Sequence, residues 1–129
     1  MKQPVAGTTP AASYSPGMLA SGRTLYVSGQ GPLDGGEVVS GTIEQETQLT
    51  LENLARVLAD GGATPADVVR VGIFLADLDE FDAMDAVYKR FFADAAPGAA
   101  LPARTTVGAA LRGIKVEIDC VAVLPDPEG

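Results

Sequence analysis

A nine-residue stretch near the carboxyl end, residues 114–122, constrains the fold of this chain more than any other. It reads IKVEIDCVA, and every second residue is apolar: Ile114, Val116, Ile118, Cys120 and Ala122. The first three positions between them are charged: Lys115, Glu117 and Asp119. Successive side chains of a strand point to opposite faces, so the pattern predicts a β-strand with one face in the core. Glu117 is expected on the other face.

Two segments have the spacing of amphipathic helices. The first is predicted to begin at a capping box formed by Thr42 and Gln45 and to end at Gly61. Its apolar positions recur at helical spacing: Leu51, Leu54, Ala55 and Leu58. The second helix is predicted to begin near Asp79, with one apolar face made of four residues: Phe81, Met84, Tyr88 and Phe91.

Strand candidates before, between and after the helices give the order βββαβαββ. This order predicts one α+β domain over residues 1–129, with a mixed or antiparallel sheet covered on one face by both helices. Residues 1–12 are rich in Pro, Thr, Ala and Gly and are predicted to form a loose arm. The other face of the sheet would carry Val121 and Val123. We expect self-association to bury it, because large exposed apolar patches are uncommon on monomers.

Charge and composition exclude several functions. Seventeen acidic residues against nine basic ones give a net charge of -8, so no nucleic-acid partner is expected. The chain has no histidine and one cysteine, which excludes Ser-His-Asp and Cys-His catalysis, imidazole zinc sites and an intramolecular disulfide. No apolar run is long enough for a membrane span, and the first residues lack the apolar centre of a signal peptide. The expected location is the cytoplasm, without a membrane partner.

Arg104 lies in the stretch LPARTT, where a proline-containing loop is predicted to become a strand. A surface ion pair with one of the many acids is the simpler interpretation, since such pairs are common and contribute little. The position also suits a planar guanidinium that binds a small carboxylate through two parallel hydrogen bonds.

Five further residues have a structural and a functional interpretation each. Glu117 is either a solvent-facing strand residue or a general base that orients a water molecule. Ser28 is either a strand-end hydroxyl or a catalytic one, and no histidine or evident lysine base makes it a nucleophile. Tyr14 fits a core or an interface, and Tyr88, on the apolar face of the second helix, fits the core better than a site. Asp85 lies on or near the same apolar face, so we expect it to have a partner, to lie at a subunit boundary or to flank the buried face.

Several stretches stand in an order that resembles one known family. YSPG, LYVSGQGPLD, EQETQLTLENLARVL, DVVRVGIFLADLDEF, VYKRFF, PARTTVGAAL and VEIDCVAV together resemble the RidA (YjgF) family of reactive-intermediate deaminases, from about Tyr14 to Val123. The resemblance implies a chorismate-mutase-like α+β fold and a homotrimer with clefts between subunits. It also implies hydrolysis of enamine and imine acids, such as 2-aminoacrylate and its imino tautomer, to 2-keto acids and ammonia. No metal or organic cofactor is implied.

The resemblance also implies roles for individual residues. Arg104 matches the carboxylate-binding arginine of the family, and Glu117 matches the glutamate that positions the hydrolytic water. Tyr14 matches a cleft tyrosine associated with enamine-imine proton transfer. Ser28 and Gly29 match a pair at a strand end that lines the pocket.

Two positions depart from the pattern. Thr106 stands where many members have cysteine, and we expect it to permit hydrolysis and to contact a carboxylate through its backbone amide. Asp85 stands where many members have asparagine. If Asp85 faces the cleft, its negative charge would weaken the binding of anionic substrates.

Two other function classes stay open at this stage. The same cleft would serve a trimeric binding or regulatory protein that holds a keto acid without turnover, although such a protein has no need of Glu117. A ribonuclease or translation inhibitor is the third class, and the acidic charge argues against it.

Overall fold

The computed structural model describes residues 1–125. The elements in chain order are β1 Lys2–Val5, β2 Gly17–Ala20, β3 Arg23–Gln30, β4 Leu33–Asp34, β5 Glu37–Val38, α1 Ile43–Asp60, β6 Val68–Leu75, α2 Phe81–Ala95, β7 Ala103–Gly108 and β8 Val116–Leu124. Single 3-10 turns, Pro65–Asp67 and Leu78–Glu80, precede β6 and α2.

The main sheet of the described chain has four strands in the order β3-β8-β6-β7. The central strand β8 runs antiparallel to both β3 and β6, whereas β6 and β7 are parallel and are joined through α2. The pairs β1-β2 and β4-β5 form separate antiparallel hairpins. The mixed sheet predicted from the element order is therefore confirmed.

Helix α1 begins where the sequence places it. The Thr42 side chain accepts a hydrogen bond from the Gln45 amide at 3.1 Å, and the Gln45 side chain accepts one from the Thr42 amide at 2.9 Å. This reciprocal pair satisfies amide groups that have no partner inside the helix. After Gly61 the chain turns through Gly62, whose φ of 85° favours glycine. The buried face of α1 packs on β3 and β8.

The apolar face predicted for α2 packs against the core, and Phe92 adds to it. Met84, Tyr88 and Phe92 are buried, whereas Phe91 is only partly buried at the edge of the core. Phe92 packs against Tyr88, with ring centroids 4.8 Å apart, and it lies four residues further along the helix. Phe92 therefore belongs to the buried face of α2 together with Tyr88.

Strand β8 confirms the alternation on which the fold prediction depends. Val116, Ile118, Cys120, Ala122 and Leu124 are buried beneath the helices, and the residues between them are partly exposed. On the helix-free face, Val121 lies opposite Tyr26 of β3, which is 76% exposed. Val107 of β7 is also exposed on this face. The apolar open face expected from the sequence is therefore present.

Residues 2–5 differ from the loose arm that was predicted for residues 1–12, whereas residues 6–12 form no helix or strand. Residues 2–5 form β1, which pairs with β2. The Met1 amino group donates a hydrogen bond to the Ser21 carbonyl at 2.6 Å, and Lys2 Nζ donates one to the Ala66 carbonyl at 3.0 Å. These two hydrogen bonds hold the start of β1 in place, although the composition of the segment does not favour a strand. No helix within residues 1–125 is long and apolar enough to cross a membrane.

Candidate functional site

A cavity of about 340 Å³ opens where the first turn of α2 meets the start of β7 and the segment before β2. Its lining comprises Ala11, Ala12, Tyr14, Phe81, Arg104, Thr105 and Thr106. Three residues predicted for the site, Tyr14, Arg104 and Thr106, therefore meet here. They come from distant parts of the chain, and the parallel pairing of β6 with β7 brings the last two to the cavity wall.

The guanidinium of Arg104 lies among aromatic rings. Arg104 pairs with Val71 of β6 and points to the helix-covered face of the sheet, and its side chain is only 1% exposed. Its Cζ lies 4.7 Å from the centroid of the Tyr88 ring, 5.6 Å from that of Phe81 and 5.8 Å from that of Tyr14. Rings at these distances attract a cation through their electron-rich faces.

Arg104 forms an ion pair with Asp85 of α2, with 2.6 Å between Nη1 and Oδ1. The same Nη1 donates a hydrogen bond to the Ser13 carbonyl at 3.2 Å. The ion pair considered for Arg104 is present but is not a surface pair, because the Arg104 side chain is 1% exposed and that of Asp85 is 19% exposed. Asp85 has the partner that its position requires, and the partner is Arg104.

The unused donors of Arg104 define what the cavity can bind. Among residues 1–125, its hydrogen bonds all use Nη1, which leaves Nε and Nη2 available. These two nitrogens form one edge of the planar group, and that edge matches the two oxygens of a carboxylate. A carboxylate bound at this edge would leave the ion pair with Asp85 intact.

Tyr14 lies on a segment that is tied to β7. The Ser15 amide donates to the Pro102 carbonyl at 3.1 Å, and the Ser15 hydroxyl donates to the Leu101 carbonyl at 2.6 Å. The Tyr14 hydroxyl accepts a hydrogen bond from the Ala11 amide at 3.2 Å. Because that oxygen acts as an acceptor, its own proton can be donated to a ligand.

Two buried hydroxyls near Arg104 have no hydrogen-bond partner among the described residues. They are Thr106 Oγ1 and the hydroxyl of Tyr88. Burial raises the pKa of Tyr88 well above its usual range, and the nearby positive charge of Arg104 opposes this rise only in part. The ring of Tyr88 therefore stays neutral and serves as a packing surface for the guanidinium.

Glu117 does not lie at this cavity. In β8 it pairs with Phe74 of β6, whereas Arg104 pairs with Val71, three residues earlier on the same strand. Paired residues share a face and successive residues alternate, so Glu117 and Arg104 point to opposite faces of the sheet. Strand β6 also separates their two strands. Within one chain, therefore, Glu117 and Arg104 do not lie in the same site.

Glu117 instead lies beside the end of β3. A Cβ atom on Gly29 would overlap the Glu117 carboxylate, so a glycine at this position makes room for that side chain. The pairing of β3 with β8 shifts register between Val27 and Gln30, and this bulge contains Ser28 and Gly29. Ser28, Gly29 and Glu117 thus form a second group, on the open face.

The sequence reasoning missed Ser13 and the contribution of Phe81. Ser13 is buried and contacts both Asp85 and Arg104. Its place next to Tyr14 was the only available signal, and a serine in an Ala- and Pro-rich segment does not stand out. Phe81 was assigned to the apolar face of α2, and its ring also lines the cavity.

Together, the fold and the cavity define a class of small α+β proteins. In this class the helices cover one face of the sheet, and a cavity lined by a buried arginine lies at the edge of the sheet. Residues 6–124 match the family model described as Endoribonuclease L-PSP. The chain belongs to this family, which is the RidA (YjgF) family.

Three similar proteins illustrate the relationship. Protein mmf2, mitochondrial, of Schizosaccharomyces pombe is 44% identical over 109 residues, 81% of this chain and 82% of its own. The human 2-iminobutanoate/2-iminopropanoate deaminase is 33% identical over 112 residues, 85% of this chain and 79% of its own. The structure of the Rid-family protein YyfB from Yersinia pestis superposes with a TM-score of 0.82 at 31% identity, covering 95% of this chain and 98% of that one.

Proposed function

We propose that this protein hydrolyses small 2-imino acids, and the 2-enamino acids that give rise to them, to 2-keto acids and ammonia. The observation that carries the proposal is the buried Arg104, whose Nε and Nη2 are unused beside a cavity of about 340 Å³. The relatives named as 2-iminobutanoate/2-iminopropanoate deaminases support the same reaction class.

The chemistry needs little from the protein. The carbon of a protonated imine is already electrophilic, so holding the carboxylate and presenting one water molecule supplies most of the catalysis. The water oxygen bonds to that carbon while one water proton passes to Glu117. Glu117 returns this proton to the nitrogen of the carbinolamine. The C–N bond then breaks, ammonia leaves, and the hydroxyl proton is released as the ketone forms.

Five residues, from the cavity and from the group around Glu117, have further roles in this scheme. Arg104 holds the carboxylate, and Thr106 contributes its backbone amide to the same group. Tyr14 donates or accepts the proton that converts an enamine into an imine. Ser28 and Gly29 line the wall next to Glu117. The scheme uses no metal or organic cofactor.

The proposed site needs two subunits, because Arg104 and Glu117 lie on opposite faces of the sheet within one chain. Association through the helix-free face would bury exposed Tyr26 and Val107. Because β7 is an edge strand of the sheet, the Arg104 cavity lies at the sheet edge, and we propose that Glu117 of a neighbouring subunit completes it there. We propose a homotrimer with one site at each of its interfaces. A cytoplasmic location stays a prediction.

The test generates 2-aminoacrylate with a serine or cysteine lyase and follows loss of the imine by semicarbazide trapping. Wild type should accelerate the loss, and Arg104→Ala and Glu117→Ala should each lower the rate by about 100-fold. Arg23→Ala and Glu37→Ala, at exposed positions outside both groups, are the matched controls. A folded wild-type protein without any acceleration would refute the proposal for this substrate.

A binding protein without turnover is the second candidate function. The separation of Glu117 from Arg104 within one chain is the observation in its favour. Pyruvate binding that is lost in Arg104→Ala and undiminished in Glu117→Ala, with no imine hydrolysis by wild type, would support the binding protein.

A further inference from the structure

The geometry points to Asp85 as a positioning residue that anchors the segment bearing Tyr14 and orients Arg104, and not as a residue that contacts the substrate. The consequence for turnover rests on the proposed imine hydrolysis. The consequence for the position of Tyr14 does not depend on it.

Both oxygens of Asp85 are already engaged by the protein. Oδ1 accepts from Arg104 Nη1 at 2.6 Å and from the Ser13 amide at 3.3 Å. Oδ2 accepts from the Ser13 hydroxyl at 2.9 Å. A substrate carboxylate would be repelled by this group and has no donor to offer it. Asp85 therefore acts on the residues around it.

These contacts form a closed ring of three residues. Asp85 accepts from Ser13 and Arg104, and Arg104 donates in turn to the Ser13 carbonyl at 3.2 Å. Ser13 thus uses its amide, hydroxyl and carbonyl on two residues of distant elements. A main-chain position with three such bonds is held against both rotation and displacement.

The hydrogen-bonded ring of Asp85, Ser13 and Arg104 holds Tyr14 at the cavity. Its hydroxyl is bonded to the Ala11 amide, which belongs to the same segment. The segment is attached to the body of the protein on either side of Tyr14, by Ser13 on Asp85 and Arg104 and by Ser15 on the chain before β7. Loss of Asp85 removes two of the three hydrogen bonds of the first attachment and leaves only the one between Arg104 and the Ser13 carbonyl.

The same hydrogen bonds determine which edge of the Arg104 guanidinium is available to a ligand. Nη1 has two hydrogens, and Asp85 and the Ser13 carbonyl take both. The guanidinium plane cannot then rotate about its long axis without breaking one of the bonds. The edge formed by Nε and Nη2 remains for a carboxylate, and Asp85 compensates the buried charge before any ligand binds.

The position of Tyr14 can be measured without any reference to activity. The chain has three tyrosines, so protein labelled with 3-fluorotyrosine gives three 19F NMR resonances, and Tyr14→Phe identifies the one of interest. Asp85→Ala should shift or broaden the Tyr14 resonance and raise the Kd of pyruvate about tenfold or more. Asp85→Asn retains an acceptor of the same shape and should keep the resonance near its wild-type position.

Two further variants complete the experiment. Ser13→Ala breaks the hydroxyl bond while leaving the ion pair intact, so it should move the Tyr14 resonance in the same direction by less. It also carries the test if Asp85→Ala does not fold. Asp82→Asn removes a negative charge from an exposed position one turn earlier on α2 and should change neither the resonance nor the Kd.

An unmoved Tyr14 resonance in both Asp85→Ala and Ser13→Ala would overturn the inference. So would equal losses of pyruvate affinity in Asp85→Ala and Asp85→Asn with Tyr14 in place, because that pattern would make the charge itself a ligand-binding feature. If wild type fails to hydrolyse imines and the resonance still moves, the proposed function fails and the positioning role stands.

Discussion

Mixing two inactive variants should restore activity, because the proposed site takes Arg104 from one subunit and Glu117 from its neighbour. Arg104→Ala protein keeps an intact Glu117, and Glu117→Ala protein keeps an intact Arg104. The two residues lie on opposite faces of the sheet within a chain, as their pairing with Val71 and Phe74 establishes. An interface between the two variants can therefore contain both intact groups.

The size of the effect follows from the geometry. In a randomly mixed 1:1 assembly, half of the chains carry an intact Arg104 and half carry an intact Glu117. About a quarter of the interfaces then hold a complete site, whatever the number of subunits in a closed ring. If both residues acted from the same chain, every site would lack one of them and the mixture would have no more activity than its components.

The assay needs subunits that have truly exchanged. The two variants, each with a different affinity tag, are mixed in denaturant, refolded together and purified through both tags in turn. Imine loss is then followed by semicarbazide trapping beside wild type refolded in the same way. Purification through both tags removes assemblies of one variant only and raises the expected activity above a quarter. Activity at the level of the single variants, in confirmed mixed assemblies, would refute the two-subunit site.

Three other predictions test single residues. Arg104→Lys should lower kcat/KM by about tenfold, less than Arg104→Ala, since an ammonium keeps the charge but lacks the planar edge that holds a carboxylate; equal losses in Arg104→Lys and Arg104→Ala would contradict the anchoring role. Glu46→Ala should lower the free energy of unfolding by about 3 kcal/mol in urea titrations, because the buried Glu46 accepts from the Lys115 amide at 2.8 Å and lies 3.4 Å from Lys115 Nζ; a change below about 0.5 kcal/mol would contradict this. Burial raises the pKa of the Cys120 thiol from 9.0 to about 12, so the protonated thiol stabilises the fold below pH 9 and this contribution falls as pH rises toward 12. The loss should approach about 4 kcal/mol relative to Cys120→Ala, and parallel stability curves for the two proteins would contradict the assignment.

Local chemistry made much of the fold predictable. The capping box of α1 involves residues three positions apart, so its two hydrogen bonds depend on nothing distant. The alternation along β8 has a period of two, and only a strand matches it. That period also predicted that Cys120 and Glu117 face opposite sides. Phe92 was not predicted for the apolar face of α2, and its burial depends on contact with the rest of the core.

The sequence identified single residues of the candidate site, but it did not predict how they are arranged in space. Arg104, Tyr14 and Glu117 were identified as chemical groups, and the resemblance to a family supplied their roles. The ring of Asp85, Ser13 and Arg104 joins positions 72 and 91 residues apart, and no periodicity relates them. Asp85 was correctly expected to need a partner, but charge alone did not say which one among the basic residues.

The sequence by itself determined the type, the approximate limits and the buried face of the main elements, because periodicity and capping depend on neighbours within a few residues. It also determined that any site must work without histidine. Tertiary structure alone decided that Arg104 is buried against three aromatic rings and that Glu117 lies across the sheet from it. The order of strands in a sheet and the contacts between distant segments arise from packing over the whole chain. A local sequence pattern does not contain this information.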